Sequence, residues 1–257
     1  MLKHTLLLPP LLTALHGAAQ PSSQQMNEAN NPLTPKITVN LHDQWAPRLY
    51  GSDDWTNAFL LRGLVPHRLG GAPQVLRGTL PIATAPSPDG GTVTGLGDLT
   101  LFDLFLLKAG HVEIGIGPQL TLPTASQDDL GTGKWQAGLA GIVIAPQHWG
   151  LLGGLLTWQH SFAGDDARPT QNNASFQPFF IYNLPQGLYL RSTATWNFNL
   201  QTDDYVIPLG LGLGKVWSLA GGTTVNAFVE PQWTAAHEGV GQPKFQVFMG
   251  VNFQFSL

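Results

Sequence analysis

The stretch Lys244-Phe245-Gln246-Val247-Phe248-Met249-Gly250-Val251-Asn252-Phe253-Gln254-Phe255-Ser256-Leu257 decides the fold. Phe245, Val247, Met249, Val251, Phe253, Phe255 and Leu257 fall on one parity. Lys244, Gln246, Asn252, Gln254 and Ser256 fall on the other. Successive side chains of a strand point to opposite sides, so this segment is a strand with one apolar and one polar face. It is more than twice the ordinary strand length of about 5–6 residues. A strand that crosses a bilayer needs about 9–11 residues when tilted.

The same alternation recurs upstream. In 111–122, Val112, Ile114, Ile116, Leu120 and Leu122 oppose His111, Glu113, Gly115, Gly117, Gln119 and Thr121. In 188–200, Leu188, Leu190, Ala194, Trp196, Phe198 and Leu200 oppose Arg191, Thr193, Thr195, Asn197 and Asn199. In 222–234, Val225, Ala227, Val229, Pro231 and Trp233 oppose Thr224, Asn226, Glu230 and Gln232. A soluble sandwich would alternate in the same way with its apolar face inward, so composition must arbitrate. Only 11% of the 257 residues are charged, against about 25% in soluble domains. Yet the mean hydropathy is +0.02, too low for a bundle of membrane helices. An apolar lipid face averaged against a small or polar lumen face gives this combination, as do 30 glycines and eight tryptophans. Trp135, Trp158, Trp196 and Trp233 fall toward the ends of apolar faces, where interface girdles place them. The formal charge of −4 argues against a nucleic-acid partner, which would want a basic face. With no cysteine there is no disulfide, thiolate metal site or lipid-attachment residue.

Connections alternate in length. Residues 108–110, 146–148, 185–187 and 218–221 are short; 85–95, 123–133, 163–172 and 235–243 are longer. Outer-membrane barrels have short periplasmic turns and long external loops. Counting back from a periplasmic C-terminus predicts strands at 36–45, 57–66, 73–84, 95–108, 111–122, 134–145, 149–162, 173–184, 188–200, 205–217, 222–234 and 244–257. The expectation is an all-β, transmembrane, antiparallel up-and-down barrel of twelve strands over 36–257. Asp98 and Asp103 lie on opposite parities of one strand, which predicts a bulge or a rim position for Asp98. Lys215 shares parity with Leu209, Leu211 and Leu213, which requires snorkelling to the interface or a local bulge.

Residues 1–19 read as a secretory signal peptide. Lys3 and His4 precede an apolar core, and Gly17-Ala18-Ala19 offers a cleavage point near Ala19. Residues 20–35 are polar and read as a mobile periplasmic leader. The ending Phe253-Gln254-Phe255-Ser256-Leu257 is similar to the C-terminal signal read by barrel-assembly machinery, with Leu257 in place of the usual aromatic residue.

Several motifs appear in a recognisable order: Asn31-Pro32-Leu33, Gly95-Leu96-Gly97-Asp98, Leu122-Pro123-Thr124-Ala125, Leu130-Gly131-Thr132-Gly133-Lys134-Trp135, Phe162-Ala163-Gly164-Asp165-Asp166, Gln177-Pro178-Phe179 and Val206-Ile207-Pro208-Leu209-Gly210. In this order they resemble the outer-membrane family associated with the MetA pathway of phenol degradation, whose members often carry the label transporter or neuromedin U. The resemblance implies an outer-membrane barrel linked to uptake of small aromatic compounds. It implies no catalytic residues.

Lipid-facing Lys or Arg near the bilayer midplane costs about 2–4 kcal/mol. The expected lumen-lining set is therefore Arg62, Arg77, Asp103, Glu113, Lys134, Gln136, Gln159, Gln177, Arg191, Asn197, Glu230, Gln232, Lys244 and Asn252. These residues could line a polar conduction path, or fill a narrow barrel with an interior salt-bridge network. Asp53-Asp54, Asp89, Asp128-Asp129, Asp165-Asp166, Asp203-Asp204 and Glu238 fall in expected external loops. Asp128, Asp129, Asp165 and Asp166 could hold Ca²⁺ or Mg²⁺ and bridge to lipopolysaccharide phosphates, or could be solvated loop tips. His160 and Ser161, near the external rim, are adjacent, so they point to opposite faces and form no nucleophile–base pair. The other histidines lack zinc-ligand spacing, and no motif implies a cofactor.

The expected function is a passive channel or facilitator for small hydrophobic or aromatic solutes, with no enzymatic activity. The expected partners are outer-membrane lipids, lipopolysaccharide and the assembly machinery. The alternative is a structural or plugged barrel serving envelope integrity or adhesion through its acidic loops; a lipid hydrolase is a third reading. The face assignment makes a direct prediction. Leu190→Arg reduces the folded fraction in a membrane-insertion assay read by heat-modifiable gel mobility, whereas Asn197→Arg leaves it unchanged.

Overall fold

A computed structural model describes residues 20–256. The expected signal peptide and Leu257 lie outside these residues. The strands are β1 (Ile37–Leu49), β2 (Thr56–Leu69), β3 (Ala72–Pro86), β4 (Thr92–Leu96), β5 (Leu99–Ala109), β6 (Val112–Leu122), β7 (Lys134–Gln147), β8 (Gly150–Gly164), β9 (Asn172–Asn183), β10 (Leu188–Ser192), β11 (Trp196–Asn199), β12 (Tyr205–Gly210), β13 (Gly212–Ser218), β14 (Thr224–Glu238) and β15 (Pro243–Phe255). Three pairs, β4–β5, β10–β11 and β12–β13, are interrupted halves of single staves, so the staves number twelve. Each pairs antiparallel with its sequence neighbour, and β15 returns to β1 from Ile37↔Phe255 to Leu49↔Pro243. The result is a closed twelve-stranded antiparallel barrel, as expected.

The interruption of the fourth stave has a local cause. Ile82 pairs with Leu96, but Thr79 pairs with Thr100, so the register against β3 slips by one residue across Gly97 and Asp98. This is the bulge expected from the parity conflict at Asp98. In the tenth stave, by contrast, alternation continues unbroken. Leu209, Leu211 and Leu213 are exposed, Gly212, Gly214 and Val216 are buried, and Lys215 stays on the outer face. Its Nζ lies 5.7 Å from the Trp217 ring, close to the short-turn end. A snorkelled lysine beside an interfacial tryptophan therefore accounts for Lys215.

One end of the barrel is made of short turns. Gly70 and Gly71 join β2 to β3 with φ of +58° and +85°, the two positive values that a type I′ hairpin requires. At the other end the strands run further than expected. β3 reaches Pro86, β4 starts at Thr92 and β14 reaches Glu238, so the external loops are shorter than the sequence suggested. Water at that end lets a ladder continue past the lipid as ordinary hairpins.

The outer face is apolar, with Leu61, Val65, Leu107, Ile116, Leu139, Leu156, Leu209 and Met249 exposed. Exposed Trp45, Trp55, Trp135, Trp158 and Trp233 lie toward the long-loop end, while Trp149 and Trp217 lie at the short-turn end. Such a surface is stable only in lipid.

The segment 20–35 corrects the sequence reading. It is folded, and it plugs the short-turn end of the lumen. Ser22 caps helix α1 (Ser23–Asn30) in a capping box with Gln25. Met26, Ala29 and Leu33 are buried in one cluster with inward-facing Leu64, Val75, Leu104, Ile142, Ile144, Leu151, Leu155, Ile181 and Val216. Polar contacts fix the orientation of the plug. Asn27 Nδ2 donates to the Gln147 carbonyl at 2.8 Å, Asn31 Nδ2 to Glu113 Oε2 at 2.7 Å, and Asn226 Nδ2 to the Ala29 carbonyl at 3.1 Å. Composition suggested a mobile segment, but the side chains of Asn27, Asn30 and Asn31 are answered by the wall. Burial of Met26 and of Leu33 contributes roughly 1.5–3 kcal/mol each. Met26→Asp combined with Leu33→Asp is expected to release the segment, measured as a rise of tenfold or more in hydrogen-exchange rates over residues 23–35 with the barrel still folded.

Candidate functional site in the barrel lumen

Register brings the candidate residues together at mid-barrel. On one wall, Arg62 of β2 pairs with Asn40 of β1 and Thr79 of β3, while Leu64 pairs with Arg77. Arg62 and Arg77 are therefore diagonal cross-strand neighbours on the inward face. Such neighbours stand about 7–8 Å apart. On the wall further round the barrel, Arg191 of β10 faces Glu230 of β14, beside Phe228 of β14 and Phe248 of β15, and the His42 ring of β1 lies 5.3 Å from Phe228 and 5.2 Å from Phe248.

The two walls differ in charge pairing. Arg191 Nε donates to Glu230 Oε2 at 2.7 Å. The same carboxylate accepts from the Thr193 amide and hydroxyl, both at 2.8 Å, and from Gln232 Nε2 at 3.1 Å. Glu230 is fully buried, and the Arg191 guanidinium lies 3.5 Å from the centre of the Phe228 ring. This buried pair has its hydrogen-bonding capacity met, the condition under which burial of two charges is tolerable.

Arg62 and Arg77 are not so matched. Neither takes part in any of the three ion pairs among the described residues. The Arg62 Nη1 donates to His42 Nδ1 at 3.0 Å. Arginine has no acceptor, so Nδ1 of this imidazole must accept and its proton sits on Nε2. His42 Nε2 then donates to Asn252 Oδ1 at 2.7 Å. The Arg77 guanidinium lies 5.0 Å from the centre of the Phe102 ring. The Nε of each arginine is buried without a hydrogen-bond partner among the described residues. Between the walls is a cavity of about 120 Å³, lined by the leader, these arginines, His42, Phe179, Ile181, Phe228 and Phe248. Among the described residues, ion pairing at the level of the central cavity is thus confined to Arg191 and Glu230, and the wall around Arg62 and Arg77 holds excess positive charge.

The remaining candidates fall into layers. Gln177 donates to the Thr193 carbonyl at 2.8 Å, and Asn252 borders the central cavity. Above them, Gln159 accepts from Gln119 at 2.7 Å and from Thr121 at 2.9 Å, and Asn197 joins it in a polar vestibule. Gln136 and Gln232 are buried in the wall. Lys134 and Lys244 stand at the external rim, Lys244 with its Nζ 5.6 Å from the Tyr50 ring. Glu113 holds the plug through Asn31.

Asp103 is a correction. It pairs with outward-facing Leu76 and alternates with Leu101 and exposed Phe105, so it lies on the outer face. There its Oδ1 meets His67 Nε2 at 2.8 Å, and Gln74 Nε2, in its hydrogen-bonded orientation, donates to Oδ2 at 2.8 Å. Sequence reasoning also missed residues inside the lumen. His42, Phe228 and Phe248 share parity with polar neighbours, and that parity was the available signal.

The loop between β6 and β7 folds onto one carboxylate. Asp98 accepts from the Thr132 amide at 2.7 Å, the Thr132 hydroxyl at 2.9 Å and the Ala125 amide at 3.2 Å. A Cβ on Gly131 would meet Asp98 Oδ1 at 2.6 Å, so the loop needs glycine there. Three of the ordered sequence motifs therefore form one structure around the bulge. Asp128, Asp129, Asp165 and Asp166 do not gather into a metal centre: among the described residues no three such side chains cluster with metal-binding geometry. Instead, Arg168 donates to the carbonyls of Asp128 and Gly131. His160 pairs with Ala137 on the outer face and Ser161 with Gln136 on the inner face, so the two remain apart.

The chain is similar in fold to a COG4313 outer membrane channel from Pseudomonas putida F1, with 18% identity, a TM-score of 0.61, and coverage of 93% of this chain and 97% of that one. The KdgM porin matches with 10% identity, a TM-score of 0.48, and coverage of 86% and 100%. Outer membrane phospholipase A from Escherichia coli matches with 13% identity, a TM-score of 0.43, and coverage of 90% and 95%. No protein-family model and no curated protein matches the sequence. The first likeness establishes the fold, an outer-membrane barrel.

The buried pair makes a testable asymmetry. Arg191→Leu strands the Glu230 charge and should cost about 3–5 kcal/mol. Arg191→Leu combined with Glu230→Leu should cost less than the single change. Guanidinium unfolding in lipid vesicles measures both.

Proposed function

We propose that this chain is an outer-membrane channel that passes small hydrophobic or aromatic molecules without energy input. The observation that carries this reading is the mid-lumen cavity. It lies between a polar external vestibule and the leader, and its wall sets Phe179, Phe228, Phe248, Ile181 and Leu64 beside arginines and polar side chains such as Gln177, Thr193 and Asn252. A barrel whose lumen served only as packing would fill this level with matched charges or apolar side chains. Phenyl rings around a pocket supply favourable apolar contact, and a few polar groups fix orientation. The resemblance to the phenol-degradation family supports aromatic solutes. Lipopolysaccharide and outer-membrane lipids surround the barrel in this reading, and the assembly machinery inserts it.

The seated leader favours a second reading, a plugged structural barrel, and one experiment separates the two. Planar-bilayer conductance and liposome swelling with water-soluble aromatic solutes are measured for the intact protein and for a form lacking residues 20–35. A channel has measurable flux in the intact protein and several-fold greater flux without the leader. A folded barrel that is silent in both forms sinks the channel reading.

A further inference from the structure

The unmatched wall of the lumen identifies the ligand more narrowly. Arg62 and Arg77 are like charges on adjacent strands, both inward, with no carboxylate partner among the described residues. A guanidinium is always charged and presents donors in a planar fork that matches a carboxylate. Each of these two keeps a buried Nε without a partner. His42 accepts one hydrogen bond from Arg62 as a neutral ring and brings no negative charge. Glu230, further round the barrel, is already committed to Arg191, Thr193 and Gln232. Two cations left close together in a partly dry lumen are costly unless an anion joins them.

The remaining wall is mixed: amide and hydroxyl side chains such as Gln177, Thr193 and Asn252 stand beside an apolar patch. Phe102 lies beneath Arg77, and Phe179, Phe228 and Phe248 line the space beyond. The cavity, about 120 Å³, is close to the ~150 Å³ cavity that accepts one benzene molecule. We infer that the central cavity binds a small organic monocarboxylate, its carboxylate held by Arg62 and Arg77 and its single ring-sized apolar body against the phenylalanines. This inference rests on the channel reading for its biological role, but the binding site stands on its own geometry. Inorganic phosphate would satisfy the arginines and waste the apolar patch. A neutral aromatic would cover the patch and leave both cations unmatched.

The test is equilibrium binding to the folded full-length barrel in detergent, by titration calorimetry, with benzoate, benzyl alcohol and inorganic phosphate as probes. Benzoate is expected to bind at least tenfold tighter than either of the others. Arg62→Gln with Arg77→Gln should erase that preference, so that the variant binds benzoate no tighter than benzyl alcohol. Arg62→Lys with Arg77→Lys, which keeps the charge, should retain a benzoate preference. Equal affinity of the wild-type protein for benzoate and benzyl alcohol overturns the proposal and needs no variant that might misfold. Phosphate binding as tight as benzoate, in competition with it, also overturns it, because the site is then a bare anion site. A barrel that conducts but shows no benzoate preference loses this site and keeps the channel reading. A barrel that binds benzoate through the arginines but passes no solute keeps the site and loses the channel reading.

Discussion

Closure of the ladder between β1 and β15 is the constraint on which everything else depends. In lipid, no water satisfies an exposed amide or carbonyl, so a spanning sheet cannot keep a free edge. The pairing from Ile37↔Phe255 to Leu49↔Pro243 removes both edges at once. Closure fixes an inside and an outside, and alternation then sorts every side chain between lipid and lumen. The central arginines, the Arg191–Glu230 pair and the plug site are consequences of that sorting.

Most of the barrel was legible because its signal is periodic. Where one face is apolar and the other polar, as in Thr224–Glu238 and Pro243–Phe255, parity settles orientation and the structure agrees. Reading fails where both faces are apolar. Leu99-Thr100-Leu101-Phe102-Asp103-Leu104-Phe105 offers no contrast, and the assumption that a charge turns inward put Asp103 on the wrong face. Leu104 is the inward residue, paired with inward Val75 and buried in the same cluster as the leader.

The same cause hid the plug. Ile142-Val143-Ile144 and Leu151-Leu152 are apolar on both parities, which is excess for a strand between lipid and a wet lumen. Those inward apolar residues needed a cover, and Met26, Ala29 and Leu33 supply it. The leader looked disordered by composition because Asn27 and Asn31 were counted as solvated groups. They are donors to the barrel wall. The central cavity could not be read from sequence at all, since the absence of partners for Arg62 and Arg77 is a property of three dimensions.

The leader also bears on the order in which the molecule is assembled. Its contacts come from β6 and β7 in the middle of the chain and from β9, β14 and β15 further on, through Glu113, Gln147, Asn183, Asn226 and Gln254. No nascent hairpin carries more than a part of that set. The segment synthesised before the barrel therefore has no complete seat until the final strands arrive. What comes first in the chain is last to settle, and its docking marks a finished cylinder.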